Sequence, residues 1–216
     1  MLYFQQYHFN KELNKHQRKG LIMKVQSIVV VIVATLVMLV IAGSAYAAGT
    51  CPSSLTCPSG ISCGCYVKSG LGSNKSALRN AGGSQYMEAS AMMETEMMNT
   101  SYTFCDGKSG DSCNGGVTKM NFYEARTAGC ANTGSGYSTW ATKMNSSRST
   151  DVTCWNKDKS YWGSKYWAVH RNGASGNSNP NTTDIKNFKS ANDWTNNNIG
   201  SHLTDDVRFW CSIPAI

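Results

Sequence analysis

Apolar and polar positions fall into three regimes along the chain. The first is an uninterrupted apolar run, "IVVVIVATLVMLVIAG" from Ile28 to Gly43, preceded by basic residues and followed by the small-residue stretch "SAYAAG". That order is the grammar of a secretory signal peptide. Its 16 residues fall short of the roughly 20 that span a bilayer, and no stop-transfer pattern follows. Met23 opens a complete signal peptide by itself, "MKVQSIVV", so the start lies at Met1 or Met23. The second regime, residues 49–75, has no periodicity and is rich in Cys, Pro and Gly. The third, from Ser76 to Ile216, carries helical spacing in most of its length. "NKSALRNAGG" reads as a short helix closed by Gly82 and Gly83, and Ser84 can cap a second helix reaching about Asn99. A stretch rich in Gly, Ser, Asn and Asp suits loops and short strands. Helical patterns return in "NFYEARTAG", "YSTWATKM", "STDVTCWNKDKSYW" and "TTDIKNFKSANDWTNNN". With no βαβ alternation, the outline is α+β, mostly helical with a small β or loop insert. The expected organisation is a removed leader (1–48), a Cys-rich segment (49–75) and a main domain (76–216).

Two neighbouring acids separate on a helical wheel. Within about 60° of Glu94 lie Met87, Ser90, Ala91, Met97 and Met98, whereas Gln85, Ala89 and Met92 lie within about 40° of Glu96. Glu94 therefore shares the more apolar stripe, where its ionised form is disfavoured and its pKa rises. A general acid needs that property. Glu96 reads as the more solvated of the two. Twelve residues after Glu94, Asp106 sits in "CDGKSGDSC" among loop amides, hydroxyls and Lys108, which favour a charged carboxylate able to activate water. Asp111 is a rival on the same loop. A bridge between Cys105 and Cys113 would hold that loop in place. One raised and one unraised carboxylate across a cleft is a constellation for glycoside hydrolysis, although pattern alone also fits a purely structural Glu and Asp.

Charge excludes one class of partner. The leader holds five of the 20 Lys/Arg and one of the 13 Asp/Glu, leaving 15 against 12, or +3. That weak balance, with no basic run, gives no case for nucleic-acid binding. All nine cysteines follow the leader, which reads as disulfides in an oxidising compartment with one thiol left over. A metal site is not expected, because Cys63 and Cys65 are too close for the usual spacer and histidines are scarce. Asn74, Asn99, Asn145 and Asn181 begin glycosylation sequons.

The stretch "ETEMMNTSYTFCDGKSGDSCNGGVTKMNF" resembles the active-site region of glycoside hydrolase family 134, endo-β-1,4-mannanases of lysozyme-like fold. The similarity continues through "MNSSRSTDV", "HRNGASGNSNPNTTDIKNFKSANDWT" and "SHLTDDVRFWCSIPAI", roughly Ser76 to Ile216. The resemblance implies Glu94 as general acid, Asp106 as general base, inversion at the anomeric carbon, and no cofactor. Departures from the family pattern are Cys105 where Gly is usual, Cys113 in place of a small apolar residue, and Cys211 in place of Val. A family cysteine is displaced by one helical turn to Cys154, so Cys154 and Cys211 are expected to form a bridge of this protein's own.

Neutral polysaccharides are bound by aromatic faces and by polar side chains that read hydroxyls. "YWAVHRNG" offers Trp167, His170, Arg171 and Asn172, and "VTKMNF" offers Lys119 and Asn121. Trp140, Trp155 and Trp162 fall on predicted helices and read as core. The expected partner is β-1,4-mannan or a manno-oligosaccharide, met outside the cell by a monomer with no membrane attachment after leader cleavage. Two other readings stay open: a hydrolase of chitosan or peptidoglycan on the same fold, and a secreted carbohydrate binder without turnover.

Overall fold

In the computed structural model, residues 48–100, 105, 110, 113–130 and 136–213 are described. Residues 1–47 and Asp106 lie outside them, as do Lys108 and Asp111.

Strand β1 (Ser62–Val67) carries both Cys63 and Cys65 and pairs antiparallel with β4 (Val207–Ser212), from Ser62 opposite Ser212 to Val67 opposite Val207. Bridges Cys51–Cys65 and Cys57–Cys63 fasten the preceding segment to that strand. The Trp194 indole donates to the Thr56 carbonyl at 2.8 Å, a further tie to the helical body. The Cys-rich segment therefore supplies half of a two-stranded sheet. Helix α1 (Leu71–Asn80) buries Leu71 and Leu78, and Gly82 and Gly83 follow it.

Helix α2 (Gln85–Glu94) starts where Ser84 accepts the Met87 amide at 3.1 Å. It ends at Glu94, five residues before the expected point. The cause is Thr95, whose backbone turns extended (φ −143°, ψ 148°) and whose hydroxyl accepts the Asn99 amide at 2.7 Å, starting a turn in place of the helix. The face bearing Met87, Ala91 and Met92 is buried, and α2 packs on α7 and β4.

A two-residue ladder follows, β2 (Asn114–Gly115) with β3 (Met120–Asn121). Helix α3 (Phe122–Thr127) is set by a capping box, in which Asn121 takes the Glu124 amide while the Glu124 carboxyl takes the Asn121 amide. Helix α4 (Gly136–Ser146) precedes α5 (Arg148–Trp162), which Ser147 caps and which passes through a short turn into α6 (Tyr166–Ser178). Helix α7 (Thr183–Asn198), capped by Thr182, then leads to β4. The four later helical patterns read from the sequence coincide with α3, α4, α5 and α7.

Helix α6 bends sharply at Gly173 (φ 55°, ψ −135°), and the returning chain lays Gly176 on the Ala168 carbonyl. A Cβ at Gly176 would stand 1.8 Å from that oxygen, so only glycine fits. The core joins Leu71, Met87, Met92, Met98, Met120 and Met144 to Trp140, Trp155, Tyr166 and Phe209. Trp140 and Trp155 are fully packed as expected, while Trp162 lies half-buried against Tyr123 and Tyr161.

Two further bridges are Cys105–Cys113, on the expected loop, and Cys130–Cys154. The expected Cys154–Cys211 pair does not form. Cys154 is in α5 and bonds Cys130, and Cys211 on β4 is a free thiol beside Thr195. Its thiol pKa is pushed up by burial to about 11.

Candidate functional site

Glu94 is the last residue of α2, and its side chain keeps 24 % of its surface open while protein encloses the rest. Burial pushes its carboxyl pKa up, against the pull of His170, Arg171 and Lys119 in that order. Its position adds to this effect, because the carbonyl end of a helix disfavours a negative charge. The carboxyl therefore holds its proton above the ordinary carboxylate range.

His170 sits on the first part of α6, 6 % exposed, with its Nε2 3.9 Å from the Glu94 carboxyl. On the other side its Nδ1 lies 3.1 Å from both oxygens of Glu124. The ring is sandwiched between Tyr166 and Phe188, with centroids 5.4 and 5.8 Å away. Burial lowers its pKa, and Glu94 and Asp158 resist that fall.

Next in sequence, Arg171 turns outward to form a two-pronged pair with Asp184 of α7 at 3.0–3.3 Å, lying over the Phe188 ring. Asn172 donates to the same carboxyl at 3.3 Å. Both side chains are exposed just before the Gly173 bend. Lys119 approaches Glu94 from the loop ahead of β3, donating to the Asn99 carbonyl at 2.8 Å. Burial lowers its pKa to about 8 against the attraction of Asp151 and Glu94.

That loop is held from behind. Asp151 of α5 takes the Val117 amide at 2.7 Å, Asn145 takes the Gly116 amide at 3.0 Å, and Arg148 donates to the Met98 carbonyl at 3.2 Å. Met98 and Lys119 both adopt φ 51°, a left-handed conformation costly for residues with a Cβ. Such strain gathers where surrounding contacts fix a functional geometry.

Of the residues singled out from the sequence, Glu94, His170, Arg171 and Lys119 come together electrostatically, with Asn172 beside Arg171. Asn121 and Trp167 are buried like Lys119 and His170, both 7 % exposed, and are engaged in packing. The Asn121 amide caps α3 and donates to the Val169 carbonyl at 2.9 Å, binding α3 to α6. Trp167 packs on Tyr86, Phe188 and Trp155. Glu96 is exposed, hydrogen-bonded to Tyr66 and paired with Lys68, as the wheel indicated. Asp106 lies outside the described residues, but its neighbour Cys105 is bridged to Cys113, which is 2 % exposed and accepts the Phe122 amide at 2.9 Å. Among the described residues no three His, Cys, Asp or Glu side chains gather as a metal centre would require.

Sequence reading missed Glu124 and Asp158. Glu124 was visible as the last residue of an Asn-x-x-Glu capping box. Asp158 was visible as an acid three residues after Trp155 and seven after Asp151, on one stripe of α5. The wheel argument that found Glu94 applies to it equally.

A carboxyl whose pKa burial raises, at a partly open helix end among three basic groups, suits proton donation to a leaving oxygen. The chain belongs to glycosyl hydrolase family 134, whose sequence model matches residues 72–213. It is a glycoside hydrolase, and its substrate is a carbohydrate. No curated protein matches the chain.

Proposed function

We propose that this protein is a secreted, monomeric endo-β-1,4-mannanase of lysozyme-like fold that works with inversion. The observation that carries the reading is the Glu94 carboxyl, its pKa raised by burial at the end of α2 in a chain of this hydrolase family. Glu94 donates its proton to the glycosidic oxygen as the bond to the anomeric carbon breaks. Asp106 takes a proton from the water that attacks that carbon from the opposite face. Inversion requires room for that water, hence a separation of about 6.5–9.5 Å between the two carboxyls.

Exposed Arg171 and Asn172 are the groups we assign to sugar hydroxyls. Expected contacts from Lys119, His170, Asn121 and Trp167 give way to supporting roles, because residues 6–7 % exposed present almost no surface to a polysaccharide. For secretion, the supporting observations are the signal-peptide pattern and four disulfides. Among the described residues no helix is long and apolar enough to cross a membrane.

Release of reducing ends from linear β-mannan, chitosan and peptidoglycan tests the reading. We expect hydrolysis of mannan alone. Hydrolysis of another glycan instead would reassign the substrate, and binding of mannan without cleavage would make the protein a carbohydrate binder.

A further inference from the structure

Beneath Glu94 lies a buried column of polar side chains that proton donation to a sugar does not by itself require. Glu124 and Asp158 are both fully buried, on α3 and α5, and His170 on α6 stands between Glu124 and Glu94. Each layer is fixed by the one below it. The capping box pins Glu124, since its carboxyl accepts from the backbone and side-chain nitrogens of Asn121, both at 3.3 Å. Glu124 in turn orients the imidazole through Nδ1, and the Tyr166 and Phe188 faces prevent it from tilting.

Protons in this column are constrained. The buried Asp158 and Glu124 carboxyls can hydrogen-bond to each other only if one of the two is protonated. Burial first, then Glu124, pushes Asp158 up to about 11. Glu124 itself is pushed to about 8 by burial, with the Asp158 hydrogen bond opposing. A second proton occupies the Glu124–His170 contact, whichever partner holds it. Glu124 can therefore offset charge on the ring that faces Glu94. A bare imidazolium there would drive Glu94 to ionise and leave it unable to act as an acid.

We propose that His170 is a positioning residue which, clamped by Glu124 and Asp158, fixes the placement of the Glu94 carboxyl and couples its proton to the buried carboxyl pair. This rests on the reading of Glu94 as the general acid. The charged and titratable groups facing the two are, among the described residues, Lys119 from the loop before β3, Glu124 from α3, Asp158 from α5, and Arg171 and Tyr166 from α6 itself. From α7 come the Phe188 ring and Asp184, the latter engaged with Arg171. The Thr118 carbonyl also favours the protonated ring.

The test combines kinetics with NMR titration of carboxyl carbons in protein labelled with ¹³C at Glu Cδ, the Glu94 signal being the one lost in Glu94→Gln. In His170→Gln, a group that favours ionised Glu94 is gone. The Glu94 carbon should titrate at higher pH, and the alkaline limb of kcat/KM should move with it. A misplaced acid lowers kcat by about 10- to 100-fold, with KM hardly changed because the ring is buried. Glu124→Gln, similar in shape and still able to cap α3, should lower kcat in the same way. A raised KM at unchanged kcat would make the ring a substrate contact and overturn the proposal. So would a folded His170→Gln with kcat and the Glu94 titration both unmoved. Should that variant fail to fold, wild-type protein still decides the matter. The ring nitrogens of His170 and the Glu94 carbon must share their inflections, as coupled sites do, and independent single inflections would overturn the coupling. An active Glu94→Gln enzyme would sink the acid assignment while these titrations still tested the coupling.

Discussion

At the scale of the residue, the chemistry turns on which influence prevails at Glu94. Three basic groups surround it, and each pulls its pKa down, yet burial outweighs them and the net shift is upward. Lys119 is the most separable of the three, because it reaches Glu94 from a loop and titrates near pH 8. Lys119→Met removes a positive charge that favours ionised Glu94. The alkaline limb of the kcat/KM profile should then move to higher pH, and a limb that stays put or moves down contradicts this balance of forces. Cys211 gives a second prediction at this scale. Its thiol holds its proton to about pH 11 and lies away from Glu94 on β4. Native protein should therefore react sluggishly with a thiol reagent at neutral pH, denatured protein should show one thiol per chain, and Cys211→Ser should keep full activity. Rapid native labelling, or none after denaturation, would be the contrary result.

At the scale of the element, the loop before β3 shows how much of the site depends on backbone conformation. Gly116 has φ 76°, and a Cβ there would meet Asp151 Oδ1 at 2.5 Å, the very carboxyl that holds the Val117 amide. Gly116→Ala should cost at least about 1–2 kcal/mol from the left-handed backbone alone. Thermal melts should show that loss, and kcat should fall as Lys119 shifts; an unchanged melt would mean the loop relaxes freely. Helix positions were largely legible because their signals are local: Ser84, Ser147 and Thr182 cap, and apolar spacing does the rest. Where local and tertiary signals parted, sequence reading failed. Thr95 ends α2 through its own hydroxyl, which a propensity count passes over, and this puts Glu94 at a helix terminus. Helix α6 reads poorly, with two glycines, two Asn and two Ser, yet it forms because Tyr166, Trp167 and His170 are buried. Cysteine pairing depends on which strands and helices become neighbours, and so the expected Cys154–Cys211 bridge gave way to Cys130–Cys154. The acid was readable from one helix, whereas the Glu124–His170–Asp158 column needs three helices to be assembled first.

At the scale of the whole molecule, several buried carboxyls make stability depend on pH. Burial raises Asp151 to about 7, Glu88 and Glu124 to about 8, and Asp158 to about 11. Each folded pKa lies above its unfolded value near 4, so the folded state binds more protons between the two. Their contribution is fully present below pH 4 and is lost as pH rises through the folded values. Each retained proton costs about 1.4 kcal/mol of stability per pH unit in that window. Lys75, buried and lowered by that burial, is held by the His202 and Val207 carbonyls, and its coupling to Glu88 moderates the effect without reversing it. Thermal melts should accordingly show higher stability near pH 5 than near pH 8. Asp158→Asn, which mimics the protonated acid, should flatten the slope by about one proton; a slope of opposite sign would contradict the burial account.

The proposed pairing of Glu94 and Asp106, as acid and base on opposite faces of a mannosidic bond, defines the reaction. It is tested most directly by following mannohexaose with ¹H NMR in the presence of wild type, Glu94→Gln and Asp106→Asn. General acid–base groups contribute about 10²- to 10⁴-fold, so each folded variant should lose at least the lower of these factors. Wild type should release the α-anomer first. First appearance of the β-anomer, or cleavage at the wild-type rate by either variant, would contradict the account.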